Sequence, residues 1–145
     1  MSDELPAIAK DAARVAACIE QAVTRFPVKF RHSTGNDVRA AARHVVRCVH
    51  LAWYTRGRIK LQRVHELSEA VDNLKIEINI ADLVKAWGSN GQLEAVSRLV
   101  RSLGMQVGGW LNDLYSKGQN AAAVGQPQRA QTLSSRDASR KGANP

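Results

Sequence analysis

Apolar residues recur at helical spacing in four stretches of the chain, and polar residues fill the positions between them. At about 100° per residue, the apolar positions of each stretch fall on one arc, which is the pattern of a helix that buries one face. The pattern predicts helices at about 6–25, 35–55, 58–87 and 92–117. Because the connections between them are short, we expect an all-α fold, an antiparallel up-down four-helix bundle.

Residues typical of helix ends separate the four stretches. Pro27 disfavours helical backbone at the residue before it and so ends the first helix. The second helix is expected to begin with a side-chain cap from Ser33, Thr34 or Asn36. After the third helix, Gly88 is expected at the left-handed position that commonly follows a helix.

The third predicted helix is apolar on two faces. Its core stripe consists of Val64, Leu67, Val71, Leu74 and Ile78. A second stripe, on another face, consists of Ile76, Ile80, Leu83 and Trp87. Such a helix either lies at the centre of a bundle or contacts another subunit. Because a four-helix domain offers little centre, we expect the second stripe to be an oligomer interface. The run 75–80 alternates as a strand would, but it lies between helical stripes without a turn on either side, which favours a helix.

Three glycines interrupt the apolar stripe of the fourth predicted helix, where each costs ~1 kcal/mol relative to alanine. A missing Cβ beside the core arc lets another helix approach closely. We therefore expect close helix packing at Gly104, Gly108, Gly109 and Trp110. A phosphate-binding glycine loop does not fit, because no strand precedes these residues and no Lys-Ser or Lys-Thr follows them.

The segment 118–145 is rich in Gly, Ala, Gln, Ser and Arg and has a single leucine, Leu133. It cannot bury enough apolar surface to offset the entropy of ordering it. We therefore expect a bundle domain at 1–117 and a disordered basic tail at 118–145.

Positive charge is concentrated between Arg25 and Arg63, where ten lysines and arginines stand against a single acid, Asp37. The whole chain has a formal net charge of +8, so the remainder is close to neutral. On the second predicted helix, arginines at 39, 43 and 47 form a stripe with no acid between them along that helix. Like charges four residues apart destabilise a helix. The pattern therefore favours a polyanion as ligand, with nucleic acid first and an acidic protein or lipid face as alternatives. The candidate nucleic-acid-binding residues are Arg31, Arg39, Arg43, Arg47, His50, Arg56, Arg58, Lys60 and Arg63.

Catalytic and cofactor motifs are not evident in the sequence. His44 and Cys48 could place two metal ligands on one helical face, but a site needs further donors, so we expect neither a metal nor another cofactor. Nucleophile elbows, Walker motifs and carboxylate–histidine pairs of di-iron bundles are absent from the sequence, which predicts a protein that is not an enzyme.

No apolar run reaches the ~18 residues of a membrane span, and the start of the chain does not have the pattern of a secretory signal. We therefore expect a cytoplasmic protein with no membrane partner and no small-molecule substrate.

Several motifs in sequence order resemble one known family. They are Phe26-Pro27-x-x-x-Arg31, a helix of Ala and Val with repeated Arg, Leu74-Lys75, and Leu103-Gly104-x-x-x-Gly108-Gly109-Trp110-Leu111. Together they resemble the accessory variability determinant proteins of diversity-generating retroelements, over about residues 5–117. The four-helix proteins encoded in ribosomal RNA intervening sequences are more distantly similar.

The resemblance implies a specific function. Proteins of this family form basic, ring-like homopentamers of four-helix subunits, and they bind nucleic acid and the reverse transcriptase of the element. They support mutagenic retrohoming and are not polymerases. The expected partners are thus that reverse transcriptase, RNA or DNA, and further copies of the chain. Two alternatives remain open: an RNA- or ribosome-associated bundle without a retroelement, and a basic scaffold that docks an acidic protein.

Overall fold

The computed structural model describes residues 5–125, and every regular element in that range is a helix. The elements are α1 (Ala7–Val23), α2 (Val28–Arg31), α3 (Thr34–Tyr54), α4 (Ile59–Leu83) and α5 (Asn90–Gly125). The predicted all-α class is confirmed, with four long helices packed against each other. Residues 75–80 are part of helix α4, as the sequence pattern predicted, and do not form a strand. Residues up to Trp110 form one compact unit, and a second unit begins at Leu111.

The core of the first unit is built from the apolar arcs of the four long helices. Helix α3 packs against both α1 and α4. The predicted core stripe of α4 is confirmed, because Val64, Leu67, Val71, Leu74 and Ile78 are all buried. Alanines are frequent where α1 and α3 contribute to the core, and short side chains let helix axes approach closely. The buried alanines of these two helices are Ala9, Ala12, Ala22, Ala41, Ala42 and Ala52.

The connection from α1 to α3 contains structure that the sequence pattern did not reveal. After Pro27 the chain forms the one-turn helix α2, which lies in what was expected to be only a short connection. The predicted side-chain cap of α3 is wrong: Ser33 occupies the N-cap position, but its hydroxyl donates to the carbonyl of Lys29 (3.2 Å). The first turn of α3 instead approaches α1 closely at Gly35. A Cβ built on Gly35 would lie 2.6 Å from Cγ1 of Val23, so no side chain fits there without displacement.

Helix α4 ends four residues before the predicted end at residue 87. Lys85, with φ of 62°, takes the left-handed position that was expected for Gly88. The amide of Lys85 donates to the carbonyl of Asp82 (3.0 Å), and the amide of Ala86 donates to the carbonyl of Ala81 (2.8 Å). These two bonds form a Schellman motif, and its usual apolar contact is provided by the fully buried Ala81 and Ala86. The burial of this alanine pair fixes where the helix ends.

Helix α5 starts near the predicted residue but continues to Gly125, past the expected end at 117. Residues 118–125 are therefore helical although they were assigned to a disordered tail. The rest of that predicted tail, 126–145, lies outside the described residues. None of the helices in the described part of the chain combines the length and apolar content that a membrane span requires.

The glycines of α5 differ in their environment. Gly104 faces α4, because a Cβ there would lie 3.3 Å from Nζ of Lys75 and 3.8 Å from Cγ1 of Val71. Among the described residues, a Cβ on Gly108 or Gly109 would have no heavy atom within 4 Å apart from the local helix itself. The described residues therefore show no close helix packing at Gly108 and Gly109, which both lie on the exposed side of α5.

Candidate nucleic-acid interface

A groove runs between α1 and α3, and the arginine stripe of α3 forms one of its walls. Arg39, Arg43 and Arg47 lie on consecutive turns of α3 because they are four residues apart. The floor of the groove consists of Ala13, Ala16, Ala17 and Val46, and the groove has a volume of about 400 Å³. The small side chains of the floor leave room for a ligand to lie beside the three guanidinium groups.

Glu20, on α1, neutralises part of this stripe. Its carboxylate lies 2.9 Å from Nε of Arg39 and 3.3 Å from Nη2 of Arg43. Arg39 also donates to the side chain of Asn36 (3.0 Å), and only 20% of its side chain is exposed. Along α3 no acidic residue stands between the arginines. In the folded structure, however, Glu20 of α1 places its carboxylate between Arg39 and Arg43. Arg39 is therefore engaged mainly within the fold.

The predicted binding residues whose charge remains accessible lie farther along α3 and in the connection that follows it. The side chain of Arg43 is 65% exposed even though it shares Glu20 with Arg39. Arg47 is exposed and forms no ion pair with any residue of the described part of the chain. Arg56 and Arg58, in the connection to α4, are exposed as well. Among the predicted binding residues, the accessible positive charge thus lies from the middle of α3 to just beyond its end.

Two aromatic rings continue the stripe beyond Arg47. The centroids of the His50 and Tyr54 rings are 6.3 Å apart, and the ring planes differ by 31°. His50 is half-buried, whereas Tyr54, the last residue of α3, is 59% exposed. Tyr54 follows Arg47 and His50 at helical spacing and so lies on the same arc of α3 as the arginines, but it was not among the predicted binding residues.

Three other predicted binding residues are held by contacts within the chain. Arg31 donates to the backbone carbonyl of Phe26 (3.2 Å), and Arg63 forms an ion pair with Glu66 at 3.1 Å. Lys60 donates to three carbonyls at the end of α3, which belong to Ala52 (3.0 Å), Trp53 (3.3 Å) and Thr55 (3.2 Å). Because an ammonium group has three N–H donors, these bonds use all of them.

The ammonium group of Lys60 also contacts aromatic rings. Its nitrogen lies 5.7 Å from the centroid of Trp53 and 5.3 Å from that of Trp110, within the range of a cation–π interaction. The two tryptophans pack edge to face, with centroids 6.4 Å apart. Lys60 therefore acts as a C-terminal cap of α3 and joins two tryptophans. It is poorly placed to reach a phosphate.

His44 and Cys48 do come together, with 3.6 Å between Nε2 and Sγ. Burial raises the pKa of the Cys48 thiol, and the negative charge of Glu66 raises it further. The described residues include no group of three or more His, Cys, Asp or Glu that could hold a metal ion. The pair is therefore a buried thiol beside a helix-surface imidazole.

The predicted oligomer stripe is only partly continuous. Ile76, Ile80 and Leu83 are exposed on α4, and Leu83 is 80% exposed. Trp87 lies beyond the end of α4 and packs against its own chain: its ring meets Phe26 edge to face at 5.1 Å, and its Nε1 donates to the carbonyl of Ile78 (3.2 Å). Trp87 does not belong to the helical stripe. Val84, which is also exposed, extends the patch instead.

No protein-family model matches the sequence, and a search of curated proteins likewise finds no match. The resemblance to the accessory variability determinant proteins therefore remains a prediction from the sequence motifs.

Proposed function

We propose that the protein binds nucleic acid through the basic stripe of α3, with Arg43 and Arg47 as its principal phosphate contacts. The observation that carries this proposal is the accessibility of these two guanidinium groups on consecutive turns beside an open groove. Guanidinium groups bind phosphate oxygens through paired N–H donors. The net charge of +8 adds long-range attraction for a polyanion.

The sequence resemblance makes this proposal more specific. The protein acts as a non-enzymatic accessory protein of a diversity-generating retroelement, in which it binds template RNA or complementary DNA and associates with the reverse transcriptase. The exposed patch of Ile76, Ile80, Leu83 and Val84 supports self-association, because large apolar side chains clustered on a surface are typical of interfaces. In a ring of subunits, the stripe of each copy adds to a continuous basic surface.

The direct test measures binding of labelled RNA by fluorescence anisotropy at several salt concentrations. Replacing Arg43 and Arg47 with Glu should abolish RNA binding at moderate salt and leave the helical circular dichroism signal unchanged. Each phosphate contact contributes ~0.7–0.9 to the slope of log affinity against log salt. The control is a charge reversal at Arg98, which is exposed on α5. RNA binding that survives the double substitution would contradict the proposed interface.

Two further observations separate this function from its alternatives. A scaffold that docks only an acidic protein would not bind labelled RNA at physiological salt. An RNA-associated bundle without a retroelement would bind RNA but would lack a neighbouring reverse transcriptase gene with paired template and variable repeats. The genomic neighbourhood therefore decides between a retroelement role and a general RNA-associated role.

A further inference from the structure

The aromatic pair His50–Tyr54 differs from the other aromatic pairs of the fold. The pairs Phe26–Trp87 and Trp53–Trp110 are anchored within the first unit by a hydrogen bond to a backbone carbonyl and by the ammonium group of Lys60, respectively. The ring of Tyr54 instead lies largely in solvent at the end of α3. An exposed aromatic ring at this position leaves a flat apolar face available to a ligand.

The position of the pair along the stripe is informative. Arg43 and Arg47 precede it on the same arc of α3, and Arg56 follows it in the next connection. At 1.5 Å per residue, the distance along α3 from Arg43 to Tyr54 is roughly 16 Å. Exposed cations therefore lie on both sides of the rings in the sequence. Basic residues that follow a backbone, together with aromatic rings on which bases stack, are typical of single-strand binding sites.

We propose that His50 and Tyr54 form a stacking platform for an unpaired base, so that the site binds single-stranded nucleic acid in preference to duplex. The inference rests on the proposed function and identifies its ligand class. In a duplex the base faces are covered by neighbouring bases, whereas an unpaired base can stack on a protein ring. The arginines contact phosphates in either form, and the aromatic platform discriminates between them.

The test compares two labelled RNAs with equal numbers of phosphates, a single-stranded oligouridylate and a duplex. Tyr54→Ala should weaken binding of the single strand by at least about fivefold, the size expected for loss of one base–ring stack. It should leave duplex affinity and the salt slope unchanged, because no charge is removed. Tyr54→Phe should bind as the wild type does, and Tyr54→Leu should behave as Tyr54→Ala. Leu51→Ala, an exposed apolar position on the adjacent side of the helix, is the matched control.

The outcomes distinguish this inference from the proposed function. If the wild-type protein binds neither RNA at moderate salt, both the proposed function and the stacking platform are wrong. If it binds the two RNAs equally and Tyr54→Ala has no effect, the platform is wrong and the polyanion interface stands. If Tyr54→Ala weakens both RNAs to the same degree, or changes the sedimentation of the protein, Tyr54 supports the fold or the assembly, and the platform is again wrong. A selective loss for the single strand supports it.

Discussion

Glu20 on α1 binds Arg39 on α3 through an ion pair of 2.9 Å, and the same carboxylate reaches Arg43 at 3.3 Å. A carboxylate placed between two guanidinium groups occupies the position that a phosphate oxygen would take. The stripe on α3 thus already carries one internal anion at its N-terminal end. Arg47, one turn beyond Arg43, has no such counter-ion in the described part of the chain.

Removing this internal anion should strengthen nucleic-acid binding. In Glu20→Gln, the guanidinium groups of Arg39 and Arg43 lose their competing carboxylate, so we expect tighter RNA binding and a salt slope steeper by about one phosphate contact, ~0.7–0.9. The free energy of unfolding should fall by no more than ~1 kcal/mol, because the ion pairs are partly exposed. Anisotropy titrations at several salt concentrations measure the first effect, and urea unfolding measures the second.

The matched control for that change is Glu94→Gln, which removes the same charge from an exposed position on α5. If both variants gain affinity equally, the effect comes from net charge alone, and Glu20 has no specific role in the groove.

The arginines of the stripe should separate into two classes. Arg47→Ala should weaken RNA binding and reduce the salt slope by about one contact, ~0.7–0.9, with little change in stability because the side chain is exposed. Arg39→Ala should have the opposite profile, with lower stability and a smaller loss of affinity, since Arg39 holds Glu20 and Asn36. Parallel binding and urea titrations of the two variants test this. Equal binding losses would show that the ion pair opens when RNA binds.

Lys60 should affect stability rather than binding. Lys60→Met removes the three hydrogen bonds to the end of α3 and the contact with Trp53 and Trp110. We expect a loss of about 1–2 kcal/mol in the free energy of unfolding, with an altered tryptophan fluorescence spectrum. The salt slope for RNA should stay the same. Lys117→Met, at an exposed position, removes one charge without these contacts. A salt slope of RNA binding that falls for Lys60→Met but not for Lys117→Met would instead place Lys60 in the nucleic-acid interface.

The apolar patch of α4 should control assembly. Leu83→Glu places a charge on the most exposed large apolar side chain of the patch, so we expect dissociation of the oligomer with unchanged helicity. Trp87→Ala should instead lower stability, because Trp87 packs on Phe26 and donates to Ile78. Sedimentation velocity together with circular dichroism separates the two effects. A wild-type protein that is monomeric at micromolar concentration would contradict self-association through this patch.

The sequence predicted the helices and the core well because burial of one helical face leaves a periodic trace. Val64, Leu67 and Val71 follow this period and are buried. The interface depends on contacts that leave no such trace. Glu20 meets Arg39 only because α1 packs beside α3, and Lys60 folds back onto carbonyls that precede it by several residues. A local rule also failed at the end of α4, where burial of two alanines placed a lysine, not a glycine, in the left-handed conformation.

Glycine substitutions should have opposite effects at two sites that the sequence alone does not distinguish. Gly35→Ala places a Cβ 2.6 Å from Cγ1 of Val23, which is fully buried, so α1 and α3 must move apart. We expect a loss of about 1–3 kcal/mol in the free energy of unfolding, the usual range for overpacking. The Cβ of Gly108→Ala meets no atom within 4 Å among the described residues outside the local helix. This variant should gain about 0.5–1 kcal/mol, because alanine favours the helix and restricts the unfolded chain.

Urea unfolding, measured below the protein concentration at which subunits assemble, gives the free energy of unfolding of both glycine variants. Sedimentation at higher protein concentration shows whether each variant still assembles. Since no described residue outside the local helix approaches Gly108 within 4 Å, we expect alanine there to be harmless unless another subunit approaches that side of α5. Weaker assembly of Gly108→Ala, combined with higher stability of the single subunit, would locate a second subunit contact at this glycine. Unchanged assembly would show that no subunit contact lies close to Gly108.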